Sequence, residues 1–395
     1  MSRVVVTGLG VVSPYGVGVQ KFWEGLAAGE CAIRPITLFE TDGFRSRIAG
    51  EVPRDAVARL PASQRRSRAD RFALAAAREA FADSGIHSER AEAGVIVGAV
   101  GGGMLEVEEW YWERARAKED PRKRSRLRSV LPYSHAEVLA HQLRLGGPKE
   151  TVVMACSSGA ASLALAADLI VGGVTPLMLA GGVDSLTRIC FMGFNALRLL
   201  DAEPCRPFDR DRRGMSLGEG AAFVVLEDMR HARARGARVY AEFCSSGMSA
   251  DAFHVTAPQP TAEGATRAMI EALARAGIEA SRIGYVNAHG TGTPQNDATE
   301  SLALTKVFGS NGLLVSSNKS LIGHTMAAAG ALEAVATALT LAHGLVPPTA
   351  HLDHPDPEIP FDCVPRAARS ASPTFAMSNS FGFGGQNVSL IFKRW

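Results

Sequence analysis

One local pattern occurs twice in this chain. ETVVMACSSGAASLALAADLIVGG, from Glu150, runs apolar strand, tight polar turn, Ala-rich helix and glycine. NGLLVSSNKSLIGHTMAAAGALEAVATALTLAHG, from Asn311, repeats that order near the other end. A weaker pair joins VVVTGLGVVSP at Val4 to AEFCSSGMSAD at Ala241. Self-similarity of this kind points to a duplicated strand–helix unit with a seam near residue 235, giving halves 1–235 and 236–395. The alternative, that any two strand–helix units share this outline, stays open at this point.

Between the repeats, β-branched apolar runs alternate with helical stretches. Val4–Thr7, Ala93–Val97, Val152–Met154, Leu177–Leu179, Ala222–Leu226, Tyr285–Asn287, Leu313–Val315 and Val388–Phe392 predict buried strands. Phe72–Asp83, Gly159–Val171, Ala262–Ala276 and Ala327–His343 predict helices. Strands that are apolar at successive positions need cover on both faces, which specifies an α/β protein. Two stretches break the pattern: Trp110–Ser129, crowded with Arg and Lys, and the Pro- and Asp-rich Val346–Pro365.

A chain of 395 residues, 46% apolar and 21% charged, has the composition of a globular protein with a sizeable core. Its net charge of +2 gives no reason to expect nucleic acid. The six cysteines form no CxxC pair and no Cys/His spacing suited to zinc, so free thiols, a reducing compartment and no metal are expected. MSRVVVTGLGVV reads as a strand rather than a signal peptide, and no uninterrupted apolar run reaches membrane-spanning length. These features predict a cytoplasmic protein with no membrane partner.

Cys156 follows an apolar run and precedes Ser157, Ser158 and Gly159. That places its sulfur at a strand-to-helix turn, where N–H groups and the helix dipole lower a thiol pKa below ~8.5 and can hold an oxyanion. A buried structural cysteine is the competing reading. His289 lies after a strand among small residues, and His324 lies at the mouth of the second Ala-rich helix. Either one alone reads as readily as a structural histidine. Glu333 falls inside an apolar helix, where a carboxylate needs a partner; Lys319 is the candidate. The glycines of SNSFGFGGQN permit close backbone approach before the last strand.

Together these motifs resemble the beta-ketoacyl-acyl carrier protein synthases of the thiolase-like superfamily, most closely the elongating Cys-His-His type. ACSSGAAS resembles the nucleophile turn, NAHGTGTPQNDATE the first histidine motif and NKSLIGHTMAAAGALE the lysine and second histidine motif. RPFDRDRRGMSLGEGAA and SNSFGFGGQN resemble two further signatures, and the five stand in family order over nearly the whole chain. The resemblance implies two similar halves in five layers, α-β-α-β-α, with the site between them, and a homodimer. It implies Cys156 as nucleophile, His289 and His324 as the decarboxylation pair, Lys319 and Glu333 as support, and Phe383 as a gating phenylalanine. Thr291, Thr293 and Phe381 fall at substrate-contacting positions. The implied reaction is a decarboxylative Claisen condensation of malonyl-acyl carrier protein with an acyl group on Cys156. No cofactor is implied, since phosphopantetheine arrives on the carrier. An acidic carrier protein needs a positive docking surface, for which Arg65, Arg66 and Arg68 are candidates, with Arg122–Arg128 as a second cluster.

Three departures bear on the acyl group rather than the reaction. Glu106–Ser129 is long and basic, Glu106 or Val107 stands where an apolar pocket residue is usual, and Met215 replaces Gly-Phe before LGEG. QND after Pro294 is also similar to polyketide condensing subunits, which keeps a chain-length partner subunit as the alternative function. Thiolases differ by a second catalytic cysteine near the C-terminus, and initiating synthases by Cys-His-Asn.

Overall fold

The computed structural model describes residues 2–395 apart from 62, 64, 88, 117–119 and 311. Five strands build the first half: β1 (Val4–Ser13), β2 (Gly94–Ala99), β3 (Lys149–Val152), β4 (Leu177–Asp184) and β5 (Gly220–Asp228). Their order across the sheet is β3-β2-β4-β5-β1. The second half uses β6 (Ala241–Ala250), β7 (Ile283–Asn287), β8 (Leu314–Ser316), β9 (Phe375–Gly382) and β10 (Gln386–Arg394), in the order β8-β7-β9-β10-β6. Directions repeat too. β2 is parallel to both of its neighbours and so is β7, while β5 and β10 run antiparallel to theirs. β1 and β6, the weaker sequence pair, meet antiparallel where Val4–Val6 face Ala241–Phe243.

Among the helices of the described residues are α1 (Arg68–Ser84), α2 (Met104–Ala115), α3 (Ser134–Leu143), α4 (Ser158–Val171), α5 (Arg188–Ala196), α6 (Glu263–Ala276), α7 (Pro294–Phe308) and α8 (Ala329–His343). Local chemistry sets their ends. α1 begins with a Ser67/Asp70 capping box and stops at left-handed Gly85; α6 and α8 stop at left-handed Gly277 and Gly344. α1 and α3 pack on the outer face of the first half, and α6 and α7 cover that of the second. The Ala-rich pair α4 and α8 forms the middle layer and touches strands of both halves, which completes the five layers.

The crossing of α4 and α8 needs glycine on both sides. A Cβ on Gly159 would stand 2.6 Å from Ala327 O, and one on Gly330 would stand 2.7 Å from Ala160 N. This contact brings the first turns of the two helices together. The stretch Met326–His343 is apolar and long enough to cross a membrane, yet 83% of it is buried, because it packs against strands of both halves and against α4.

Two expectations change here. The run Val152–Met154 does not form a buried strand: β3 ends at Val152, pairs only with β2, and is half-exposed at the sheet edge. The basic stretch that broke the sequence pattern folds as the end of α2 followed by 3-10 turns over Pro121–Val130.

Candidate active site

Four turns converge where parallel strands end, the usual place for a site in an α/β sheet. The link β3–α4 carries Cys156, β7–α7 carries His289 to Thr293, β8–α8 carries Lys319 to His324, and β9–β10 carries Phe383 to Gly385. They enclose a narrow cavity of about 60 Å³. Cys156, His289, His324, Thr291 and Thr293 all line it, as do Phe381 and Phe383.

The nucleophile turn is held in a conformation that side chains seldom adopt. Ala155 has φ +45°. Ser158 Oγ accepts the Met154 N–H at 2.8 Å and donates to Ala155 O at 2.7 Å. Ser157 Oγ donates to Gln386 O at 2.8 Å, which ties the turn to the β9–β10 loop. Cys156 then presents its sulfur to the backbone N–H groups of Phe383 and of Cys156 itself. The expected low thiol pKa is not found. Burial pushes Cys156 up to about 11, against the Lys319 charge and these N–H groups. A helix N-terminus does not offset loss of water around a thiolate at 5% exposure.

The two imidazole rings are edge-to-face, with centroids 5.3 Å apart. Burial and the nearby Lys319 ammonium hold both well below the ordinary imidazole pKa, so both are neutral at pH 7. His324 Nδ1 accepts the Met326 N–H at 3.2 Å, so its hydrogen sits on Nε2. The His289 turn hangs on Glu300, whose two carboxylate oxygens accept the His289 and Gly290 N–H groups, each at 2.8 Å. Thr291 and Thr293 hydroxyls bond one another at 2.9 Å.

Behind the rings, Lys319 Nζ donates to Glu333 Oε1 in a pair that is almost wholly buried. Burial pushes Glu333 up to about 7 despite that contact. Glu300 is likewise pushed up to about 7. The Lys319 charge acts on three groups at once. It adds to burial in disfavouring the charged form of both histidines and it favours the thiolate of Cys156.

Arg68 is a correction. It does not project as a docking cation: its guanidinium turns inward onto buried Glu219, with Nε–Oε2 at 2.9 Å, and lies over the Phe72 ring. Arg65 is exposed and Arg66 half-exposed; both flank a surface concavity with Arg128 and His141. Of the second cluster, the side chains of Arg122 and Lys123 lie outside the described residues.

Sequence reasoning missed several contributors. Asp297 and Glu300 are buried carboxylates on the face of α7 that also buries Ala303 and Leu304; that periodicity was the available signal. Phe194, which lines the cavity and stacks on Phe383 at 5.5 Å, comes from α5 and had no motif to mark it. Away from the cavity, Asp209, Asp211 and His354 bring ligand-type atoms within 4.8 Å of one another. Asp209 Oδ2 accepts N–H groups of Asp353 and His354, and His354 Nδ1 meets Asp211 at 2.9 Å, so the cluster closes a loop.

Comparison with known proteins places this geometry. The structure superimposes with a TM-score of 0.95 on the ishigamide ketosynthase/chain length factor, at 37% identity over 100% of this chain and 99% of that one. A type II PKS acyl-carrier protein in complex with its ketosynthase bound to the hexaketide gives 0.92 at 30% identity, covering 100% of each chain. The fold is therefore the thiolase-like fold of the ketosynthases. Family models described as beta-ketoacyl synthase, N-terminal domain and C-terminal domain match residues 1–232 and 240–353. The 3-oxoacyl-[acyl-carrier-protein] synthase 2 of Coxiella burnetii is 41% identical over 99% of this chain and 98% of its own length. The chain belongs to the beta-ketoacyl synthase family of condensing enzymes.

Proposed function

We propose that this chain joins an acyl group held on Cys156 to a malonyl group on an acyl carrier protein, with loss of carbon dioxide, to give a 3-oxoacyl-carrier thioester. The observation that carries the reading is one cavity shared by a thiol with two N–H groups at its sulfur and by two neutral imidazoles.

Acyl transfer forms a bond from Cys156 Sγ to the acyl carbon and releases the carrier thiol, which takes the proton that Cys156 gives up. The N–H groups of Cys156 and Phe383 face the tetrahedral oxygen. The malonyl thioester then loses carbon dioxide, and negative charge develops on its thioester oxygen. His324 Nε2–H and the His289 ring supply donors for that oxygen, and as neutral groups they lose no proton to it. The carbanion attacks the acyl-Cys carbon, Cys156 leaves as thiolate, and it takes up one proton from solvent. Splitting the reaction this way gives ping-pong kinetics. Thr291, Thr293 and Phe381 line the approach. The reaction so written uses no metal and no organic cofactor, since phosphopantetheine belongs to the carrier. It is a cytoplasmic reaction in this reading, with Arg65 and Arg66 meeting the carrier's acidic surface.

A second chain completes the assembly. β3 is an open edge strand, and Val153, Tyr111, Trp112, Leu131 and Tyr133 are exposed apolar side chains of the same half. A homodimer across that edge is the first reading. The high similarity to a ketosynthase/chain length factor supports the second, in which the partner is a related chain-length subunit. Sedimentation of the purified chain separates the two: a stable dimer alone favours the first.

The deciding experiment is intact mass after incubation with a panel of acyl-carrier thioesters. One acyl adduct is expected, absent in Cys156→Ala. An adduct that persists in that variant would overturn the assignment.

A further inference from the structure

We propose that Asp184 is a positioning residue for decarboxylation, acting through the turn that carries His324; the inference rests on the reaction proposed above. Asp184 ends β4 and is buried at 1% exposure, outside the cavity lining. Its carboxylate serves two turns. Oδ1 accepts the N–H groups of Gly101 at 2.7 Å and Gly102 at 2.8 Å, in the turn that leads into α2. Oδ2 accepts the N–H of Ala327 at 2.9 Å.

Ala327 directly follows Met326, whose N–H donates to His324 Nδ1. Met326 is held at φ +54°, a conformation that a side-chain-bearing residue keeps only under restraint from its surroundings. The Asp184–Ala327 bond supplies a restraint one residue away. Free neutral imidazole exchanges its hydrogen between two nitrogens; here the Met326 N–H selects Nε2. The carboxylate thus reaches the His324 tautomer through two successive peptide N–H groups. Through Gly101 and Gly102 it also joins that tautomer to the root of α2.

Asp184→Asn separates the two ends. With its oxygen toward the glycines, the new amide places its NH₂ against the Ala327 N–H, donor to donor. The reverse orientation leaves two glycine N–H groups unmet, so the first is favoured and the Ala327 bond is the one lost. Loss of the Asp184 charge removes one influence that holds the Cys156 thiol up, so acylation of Cys156 should not fall below wild type. Decarboxylation of malonyl thioester, measured in the Cys156→Gln background, should fall roughly tenfold or more, toward the loss typical of a missing oxyanion donor. In ¹⁵N-histidine-labelled protein, the ring signals of His324, assigned by their loss in His324→Ala, should move from a single Nε2–H tautomer toward averaged values. If Asp184→Asn does not fold, Asp184→Ser, whose single short hydroxyl cannot serve both turns, should shift the same signals. Unmoved His324 signals in the folded variant overturn the inference. So does a parallel fall of both half-reactions with the melting temperature, which would mark a purely structural role. If His324→Ala itself decarboxylates normally, the proposed reaction fails instead, while the tautomer measurement still decides the role of Asp184.

Discussion

The turn β3–α4 and the turn β8–α8 occupy the same place in the two halves, yet they carry different side chains. The first is short: a left-handed Ala155, then Cys156, then the helix, with hydroxyl groups as its polar supports. The second is longer, with a helical turn at Lys319–Ile322 and a 3-10 turn at Met326–Ala328 before α8. That extra length admits an ammonium, an imidazole and, one helical stretch on, the carboxylate that partners the ammonium. A duplicated scaffold supplies two helix N-termini facing each other across Gly159 and Gly330; in the proposed reaction the turns divide acyl capture from charge stabilisation.

That division is broken most directly at Cys156. Cys156→Gln should abolish condensation and acyl adduct formation but keep malonyl decarboxylation, because both imidazoles remain; loss of both activities would mean the two turns do not act separately. His289→Ala and His324→Ala should show the converse, with acylation intact and decarboxylation down roughly 10²-fold or more. Because both rings are already neutral, the wild-type decarboxylation rate should show no imidazole limb; any change near pH 7 should disappear in Glu300→Gln or Glu333→Gln.

The buried pair peculiar to the second turn sharpens the comparison on stability. Lys319→Ala leaves Glu333 buried and uncompensated, at a cost of about 3–5 kcal/mol for an ionised group. Without the ammonium, the folded carboxyl lies still further above its unfolded value. The folded state then binds more protons than the unfolded one, and stability falls as pH rises. Melting curves of Lys319→Ala should therefore be worse at pH 8 than at pH 6, and Glu333→Gln in that background should remove most of the pH dependence.

Outside both turns, the arginines should divide. Arg65→Glu with Arg66→Glu should raise the apparent KM for carrier-bound substrate, more at low salt, and leave a short pantetheine thioester unaffected. Arg68→Glu should lower the melting temperature and impair both substrates alike, since it breaks the pair with Glu219. The smallest effect is expected at Glu106, which accepts the Arg68 N–H at 2.6 Å and which burial pushes up to about 7. A folded value above the unfolded one means stability is lost as pH rises through that window. Glu106→Gln should thus gain on wild type between pH 5 and pH 8, read as a growing difference in melting temperature.

The residues that touch the cavity were legible where short motifs sit on strand ends, because a strand-to-helix turn has a local signature in Cys156, His289 and His324. The ion pair was legible because a carboxylate inside an apolar helix demands a partner. Arg68 misled for the same reason that surface charge runs often do: composition does not say which member of a run turns inward, and its partner Glu219 lies 151 residues away. Phe194 and Asp184 reach the site only through tertiary contacts, so no window of sequence contains them together with their targets. The pKa of Cys156 failed as an expectation because the helix terminus is visible in sequence and the depth of burial is not.

The middle layer has a consequence for how such a chain is made. While residues up to about 235 are synthesised, α4 has a sheet on one side and nothing on the other; its cover arrives with β10 and α8. The apolar stretch Met326–His343 emerges before β9 and β10, the second-half strands that pack on it, so it too waits for its cover. Neither half is a self-sufficient folding unit on this geometry, so the first half waits with its inner face wet until the second is complete. A fragment ending at residue 235 should bind hydrophobic dyes and aggregate, and adding the other fragment during refolding should suppress both.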